Sequence, residues 1–134
     1  ILIAKSLIKK GYKKIGVLGL SYKGNLKVNI LSPVIPFIKY LKSKGISVSL
    51  FDPYYSNKEI NQITGVKSFK YPQDLSKFDC IVLSIDHKEF KTNMNNIIKH
   101  LSNCKYILDN MKVWEKINFP KRITYKITGE KNWI

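Results

Sequence analysis

The sequence predicts an α/β domain built on a doubly wound, mostly parallel sheet with helices on both faces. Three observations carry this reading. Short apolar runs recur along the chain, several of them ending at a glycine or an aspartate. Segments with apolar residues at helical spacing separate them. One run, Cys80 to Ile85, is apolar with little alternation, as a strand covered on both faces must be. Strands separated by helices pair in parallel, because right-handed crossovers return each strand alongside an earlier one. About five or six strands are expected, with Cys80 to Ile85 or Lys14 to Leu18 at the centre.

The elements run in order along the chain. Ile1 to Lys10 has Ile1, Leu2, Ile3, Ala4, Leu7 and Ile8 at helical spacing. It is shorter than the ~20 residues a membrane span needs and lacks a signal peptide's small-residue cleavage site, so a cytoplasmic location is expected. Because the first residue is Ile1 rather than methionine, the chain reads as the tail of something longer. Lys14 to Leu18 is a buried strand entering Gly19, and the polar stretch Ser21 to Ser32 comes next. Pro33 then opens a helix with Ser32 as its N-cap; Val34, Ile35, Phe37, Ile38 and Leu41 form its apolar face, and Lys44-Gly45 ends it. Ile46 to Phe51 alternates as a strand and stops at Asp52-Pro53.

Lys58 to Ile63 reads as a short helix, Val66 to Phe69 as a short strand, and Pro72 to Phe78 as a helical turn or two with Asp74 near its start. Beyond the apolar strand, His87 to Leu101 reads as an amphipathic helix through Phe90, Met94, Ile97, Ile98 and Leu101. Tyr106 to Leu108 is a strand closing at Asp109, and Ile123 to Ile127, after Pro120, is the last edge strand.

With 134 residues, 44% of them hydrophobic, the chain is the size of one compact domain with a real core. Its net charge of +15 raises one alternative, a basic nucleic-acid-binding module. Against that, only Arg122 among the 24 basic residues is arginine, and the lysines are scattered through almost every segment. Phosphate and base readers favour the planar guanidinium fork, so a solvated lysine surface is the preferred reading. Cys80 and Cys104 have neither metal-ligand spacing nor a disulfide framework and are expected to be buried apolar residues.

In open parallel sheets ligands sit outside the carboxyl ends of the strands. That edge would gather Gly19 to Lys23, Asp52 to Tyr55, Asp86-His87 and Asp109 to Lys112. Asp52 and Asp109 suit either a ligand or a turn or helix N-cap, Asp86 suits a helix cap, and His87 is a capping or structural group more readily than a general base. Gly16-x-x-Gly19 is not the G-x-G-x-x-G dinucleotide fingerprint.

Lys14-Ile15-Gly16-Val17-Leu18-Gly19-Leu20-Ser21-Tyr22-Lys23-Gly24-Asn25, followed by Ser32-Pro33, resembles the opening of a known domain. It is the carboxy-terminal, UDP-binding domain of the UDP-glucose/GDP-mannose dehydrogenase family, which includes the UDP-N-acetylmannosamine dehydrogenases. Three further matches come in the family's order: Phe51-Asp52-Pro53-Tyr54, Asp86-His87-Lys88-Glu89-Phe90, and Tyr106-Ile107-Leu108-Asp109 leading to Val113-Trp114. The resemblance covers nearly the whole chain.

The resemblance implies a Rossmann-like fold, with residues 1–12 ending a connecting helix and 13–134 forming the nucleotide-sugar-binding domain. Gly19, Ser21, Tyr22 and Lys23 would be the substrate-binding residues: Gly19 turns the chain above the sheet, Tyr22 packs on a base or sugar, and Lys23 holds a phosphate. The ligand would be a UDP-sugar, and Tyr22 to Asn25 looks closer to the N-acetylmannosamine branch than to the glucose branch. In the family an alcohol is oxidised to a carboxylate with NAD in two hydride transfers, by a cysteine that precedes this domain. The chain alone would therefore carry no catalytic residue, bind no cofactor and act as an inactive fragment. Its partner would be a separately encoded amino-terminal half or a second copy of itself, with no membrane. Two departures stand out: the family's arginine before Ser-Pro is replaced by Ile30, and the arginine after the last aspartate by Met111.

Overall fold

The structure, a computed structural model, describes residues 2–92 and 94–133. Ile1, counted above in the first helix, lies outside the described residues, as do position 93 of the expected long helix and position 134. Five parallel strands form one sheet: β1 (Lys14–Leu18), β2 (Ser47–Phe51), β3 (Cys80–Leu83), β4 (Tyr106–Asp109) and β5 (Thr124–Ile127), in the order β2-β1-β3-β4-β5. β3 is central and β5 is an edge, as the sequence suggests. Three α-helices are described, α1 (Leu2–Lys9), α2 (Val34–Ser43) and α3 (Asn57–Thr64), and none is long and apolar enough to cross a membrane.

Alternate residues of the strands feed two cores. On one face Ile15, Val17, Cys80, Val82 and Leu108 meet Ala4 and Leu7 of α1, Ile38 and Leu41 of α2, and Ile60 of α3. On the other face Leu18, Ile81, Leu83 and Ile107 meet Leu75, Phe78, Phe90, Leu101 and Trp114. β3 is apolar at every position because both of its faces are covered. Gly16 leaves room for the Phe78 ring, which a Cβ there would approach to 2.5 Å. The parallel register sets Leu18 beside Phe51 and Leu83, and Leu83 beside Asp109. The exits of four strands therefore share one edge.

The structure departs from the sequence reading in four places. α2 starts one residue later than expected: Pro33 holds the N-cap position, while Ser32 stands before it and its hydroxyl takes the Val34 N–H at 3.4 Å. Val66 to Phe69 is not a strand; one isolated bridge, Ser49 to Lys67, is all that forms. The chain leaves α3 through a left-handed Gly65 and is drawn off at once, where the Asp74 carboxylate takes the Lys70 N–H.

His87 to Leu101 is not one helix but three 3₁₀ turns, Lys88–Lys91, Met94–Asn96 and Ile98–His100. Thr92 is extended, and its hydroxyl donates to the Glu89 carbonyl. Thr92 competes for the backbone in this way, and Asn95 and Asn96 are weak helix formers by propensity. Phe90, Ile97 and Leu101 are nevertheless buried. Finally, Asp86 caps nothing: the first of these turns has no side-chain cap, and its Lys88 N–H goes to Asn25 Oδ1. The sequence reading also passed over a capping box on α3, where Ser56 and Glu59 satisfy each other's backbone N–H groups.

Candidate functional site

Where β1 ends, Gly19 takes φ +110, a left-handed conformation open to glycine at little cost. Its surroundings demand glycine as well, since a Cβ would lie 2.5 Å from Ile85 Cγ2 and 2.7 Å from Ser84 Oγ. The Gly19 N–H donates to the Phe51 carbonyl at 2.8 Å, so the turn starts tied to the end of β2.

Asp52, at the exit of β2, anchors the residues on either side of it in space. Its Oδ2 accepts the Leu20 N–H at 2.7 Å and the Ser21 N–H at 3.1 Å, while Oδ1 accepts the Tyr54 N–H at 2.9 Å. Fully buried, it also meets His87 Nε2 at 2.9 Å. Burial pushes the Asp52 carboxyl upward, but the His87 hydrogen bond and the Tyr54 and Leu20 N–H groups outweigh it and hold the group below the usual carboxylate range. Asp109 plays the same part at the exit of β4. Its Oδ1 takes the Met111 and Val113 N–H groups at 3.1 and 3.0 Å, and its Oδ2 takes the Trp114 N–H at 2.8 Å and the Tyr125 hydroxyl at 2.6 Å. Burial and then the Asp109 carboxylate push the Tyr125 hydroxyl up, so it remains a donor. Of the two readings open for these aspartates, the structure selects the turn.

The loop between β1 and α2 is closed on itself. The Ser21 side chain is buried, with its hydroxyl donating to the Leu26 carbonyl at 2.6 Å, and the Tyr22 N–H donates to the Val28 carbonyl. Asn25 is left-handed at φ 61; its N–H donates to His87 Nδ1 at 2.9 Å. Gly24 between them lies so close to the Asp86 carboxylate that any side chain there would run into it. Tyr22 and Lys23 are thus left at the apex, both exposed.

They border a cleft of about 310 Å³ whose other walls are Gly24, Asn25, Ile85, Asp86 and Met111. Lys23 is the cation of that lining and Asp86 its carboxylate. Of the four residues singled out in the sequence, Tyr22 and Lys23 line the cleft, while Gly19 and Ser21 lie beneath and shape the loop. Met111 is 46% exposed at the cleft, and Ile30 is 71% exposed farther along the loop.

Residues 16–116 match the model of the UDP-glucose/GDP-mannose dehydrogenase family, UDP binding domain. The chain belongs to this family. The UDP-N-acetyl-D-mannosamine dehydrogenase of Methanococcus aeolicus is 29% identical over 96% of this chain and 31% of that protein. The enzyme of the same name from Methanococcus maripaludis is 32% identical over 90% of this chain and 28% of that protein. The chain therefore spans about a third or less of the relatives it matches. In fold, UDP-D-ManNAc dehydrogenase from Pyrococcus horikoshii superposes with a TM-score of 0.72 at 24% identity, over 96% of this chain and 30% of that one. Cap5O of Staphylococcus aureus, a UDP-N-acetyl-mannosamine dehydrogenase, gives 0.70 at 23% over 96% and 29%. The fold is thus Rossmann-like.

Neither Cys80 nor Cys104 is a candidate nucleophile in this family member. Both are buried and free. Burial pushes the Cys80 thiol well up, and pushes Cys104 up to about 12, the opposite of an activated thiolate.

Proposed function

We propose that this domain binds the UDP-sugar of a UDP-N-acetylmannosamine or UDP-glucose 6-dehydrogenase, and that Tyr22 and Lys23 make the contact. The observation that carries the reading is the placement of Lys23: one cation, at the apex of a loop anchored at both ends, beside a cleft at the strand exits where such sheets take ligands. Lys23 would hold the diphosphate and Tyr22 would pack on the base or sugar. Asp86 repels phosphate, so its place is toward sugar hydroxyls, which can donate to it.

On this reading the chain does not oxidise the sugar by itself and works in the cytoplasm, with an amino-terminal half encoded separately or with further copies of itself. The turn after β1 lacks the spacing of a dinucleotide loop, and at Gly19 the space that a pyrophosphate would approach through is taken by Ile85 and Ser84. On this reading NAD is held by the parent enzyme's other half.

Titration of the whole chain with UDP, UDP-glucose and UDP-N-acetylmannosamine, followed by thermal shift, tests the reading. A ligand that binds only the folded state must raise the melting temperature. No shift with any of the three would refute it.

A further inference from the structure

We infer that His87 is the positioning residue of the Tyr22–Lys23 loop and that it holds the loop only as a neutral imidazole. The inference rests on the reading of that loop as the UDP-sugar site. His87 is fully buried. Its Nδ1 accepts the Asn25 N–H at 2.9 Å and so carries no proton. The ring proton is then on Nε2, which donates to Asp52 Oδ2 at 2.9 Å. That same oxygen holds the Leu20 and Ser21 N–H groups.

One ring therefore ties both ends of the segment that presents Tyr22 and Lys23: the near end through Asp52, the far end directly at Asn25. Asn25 is in turn braced by the Lys88 N–H on its Oδ1 at 2.7 Å. Protonation would place an N–H on Nδ1 facing the Asn25 N–H, donor against donor, and that bond would be lost. The Asp52 bond would survive and strengthen.

The groups around the ring agree with this division. Asp52 faces it from β2, and the Tyr54 ring stands edge-on at 4.5 Å with its hydroxyl directed to Glu89 at 3.2 Å. The Phe90 ring lies 5.6 Å away. Asp86 and Lys88 flank His87 in the chain, and Lys23 is the charged group of the loop itself. Acid should therefore free Gly24 and Asn25 while leaving Leu20 and Ser21 in place.

Two measurements on the whole chain test this. The first is calorimetric titration with UDP-glucose, whose diphosphate diester keeps its charge in this range, between about pH 7.5 and about pH 5.5. The wild type should bind more weakly at the acid end of that range than at the neutral end, because protonation of the ring removes the Asn25 bond. His87→Asn offers an oxygen near the Nδ1 position and should bind at about pH 7.5 within a few fold of wild type, with no loss in acid. His87→Gln retains a donor toward Asp52 but no acceptor for Asn25, and should bind about tenfold more weakly at every pH, about one hydrogen bond's worth. Equal pH dependence in wild type and His87→Asn overturns the inference.

The second measurement needs no ligand or variant: amide exchange by NMR should show Asn25 losing protection in acid while Leu20 and Ser21 keep theirs. If UDP-glucose binds at no pH, the site reading fails and Asn25 exchange alone still decides the role of His87. Protection of Asn25 unchanged down to about pH 5.5 overturns it.

Discussion

Asp109→Ala tests whether one buried carboxylate fixes the chain leaving β4, the device on which this edge of the sheet is built. The side chain accepts four hydrogen bonds, from the Met111, Val113 and Trp114 N–H groups and the Tyr125 hydroxyl. Alanine removes both acceptor oxygens, and with them all four bonds. Met111 is 46% exposed and Tyr125 is half-buried, so water can serve those two donors. Val113 and Trp114 are 5% and 0% exposed, and their N–H groups would be left without partners. At about 1–3 kcal/mol for each orphaned buried donor, the loss is about 2–6 kcal/mol. A domain of this size has about 5–15 kcal/mol in all, so the variant should be marginal. Asp109→Asn keeps one oxygen acceptor and should lose less than Asp109→Ala. Urea unfolding followed by the fluorescence of buried Trp114 gives the midpoint and the slope. The expected result is a lower midpoint with the slope unchanged. A shift of less than ~0.5 kcal/mol in Asp109→Ala would refute the reasoning, because an ordinary surface substitution does no more.

Other outcomes rest on the same structure. Lys23→Ala should leave stability within ~0.5 kcal/mol of wild type while weakening UDP-sugar binding by about 1.5–3 kcal/mol, the worth of a charge-assisted hydrogen bond; equal calorimetric affinities would remove Lys23 from the site. Because the Asp52 carboxyl is held below its ordinary value, its stabilisation is fully present above ~3.9 and is lost as pH falls through the lower folded value. The acid limb of the stability curve should therefore flatten in Asp52→Asn, and a parallel limb would speak against this. Cys80 and Cys104, buried with raised thiols, should resist iodoacetamide in the native chain at about pH 8 and react in denaturant; rapid native labelling would contradict their placement.

Most of the sheet was legible because strand signals here are doubly determined. β3 is apolar on both faces and β1 runs into a glycine, and each feature names its own place in a parallel sheet. The long helix was misread because Phe90, Ile97 and Leu101 are buried and fall near a helical period, while the break comes from a local competition at Thr92 that periodicity does not register. At the candidate site, the order Gly19, Tyr22, Lys23 pointed to a loop that the structure places beside a cleft at the strand exits. The pin that holds it escaped. Asn25 and His87 lie 62 positions apart, and only the parallel register of β1 and β3 brings them to 2.9 Å. The one local sign was Gly24-Asn25, a pair suited to a left-handed turn, with no indication of which partner would use the Asn25 N–H.

On the proposed reading, the composition of the cleft bears on how much of the binding this chain would supply. A nucleoside diphosphate sugar brings about two negative charges, and the cleft lining offers Lys23 against Asp86, which nearly cancel. The two places where the family resemblance leads one to expect arginine are occupied by Ile30 and Met111, and both side chains are exposed, at 71% and 46%. Neither the charge nor the bidentate geometry of a guanidinium can come from them. An exposed apolar side chain at such a position gains from being covered rather than from meeting phosphate. The remaining favourable terms within the chain are the Lys23 ammonium, the Tyr22 ring and the rigidity that Asp52 and His87 give the loop between them. If the cleft takes the nucleotide sugar as proposed, affinity would depend more on preorganisation than on charge, and the anchoring residues beneath the cleft would matter as much for binding as the two residues at its rim.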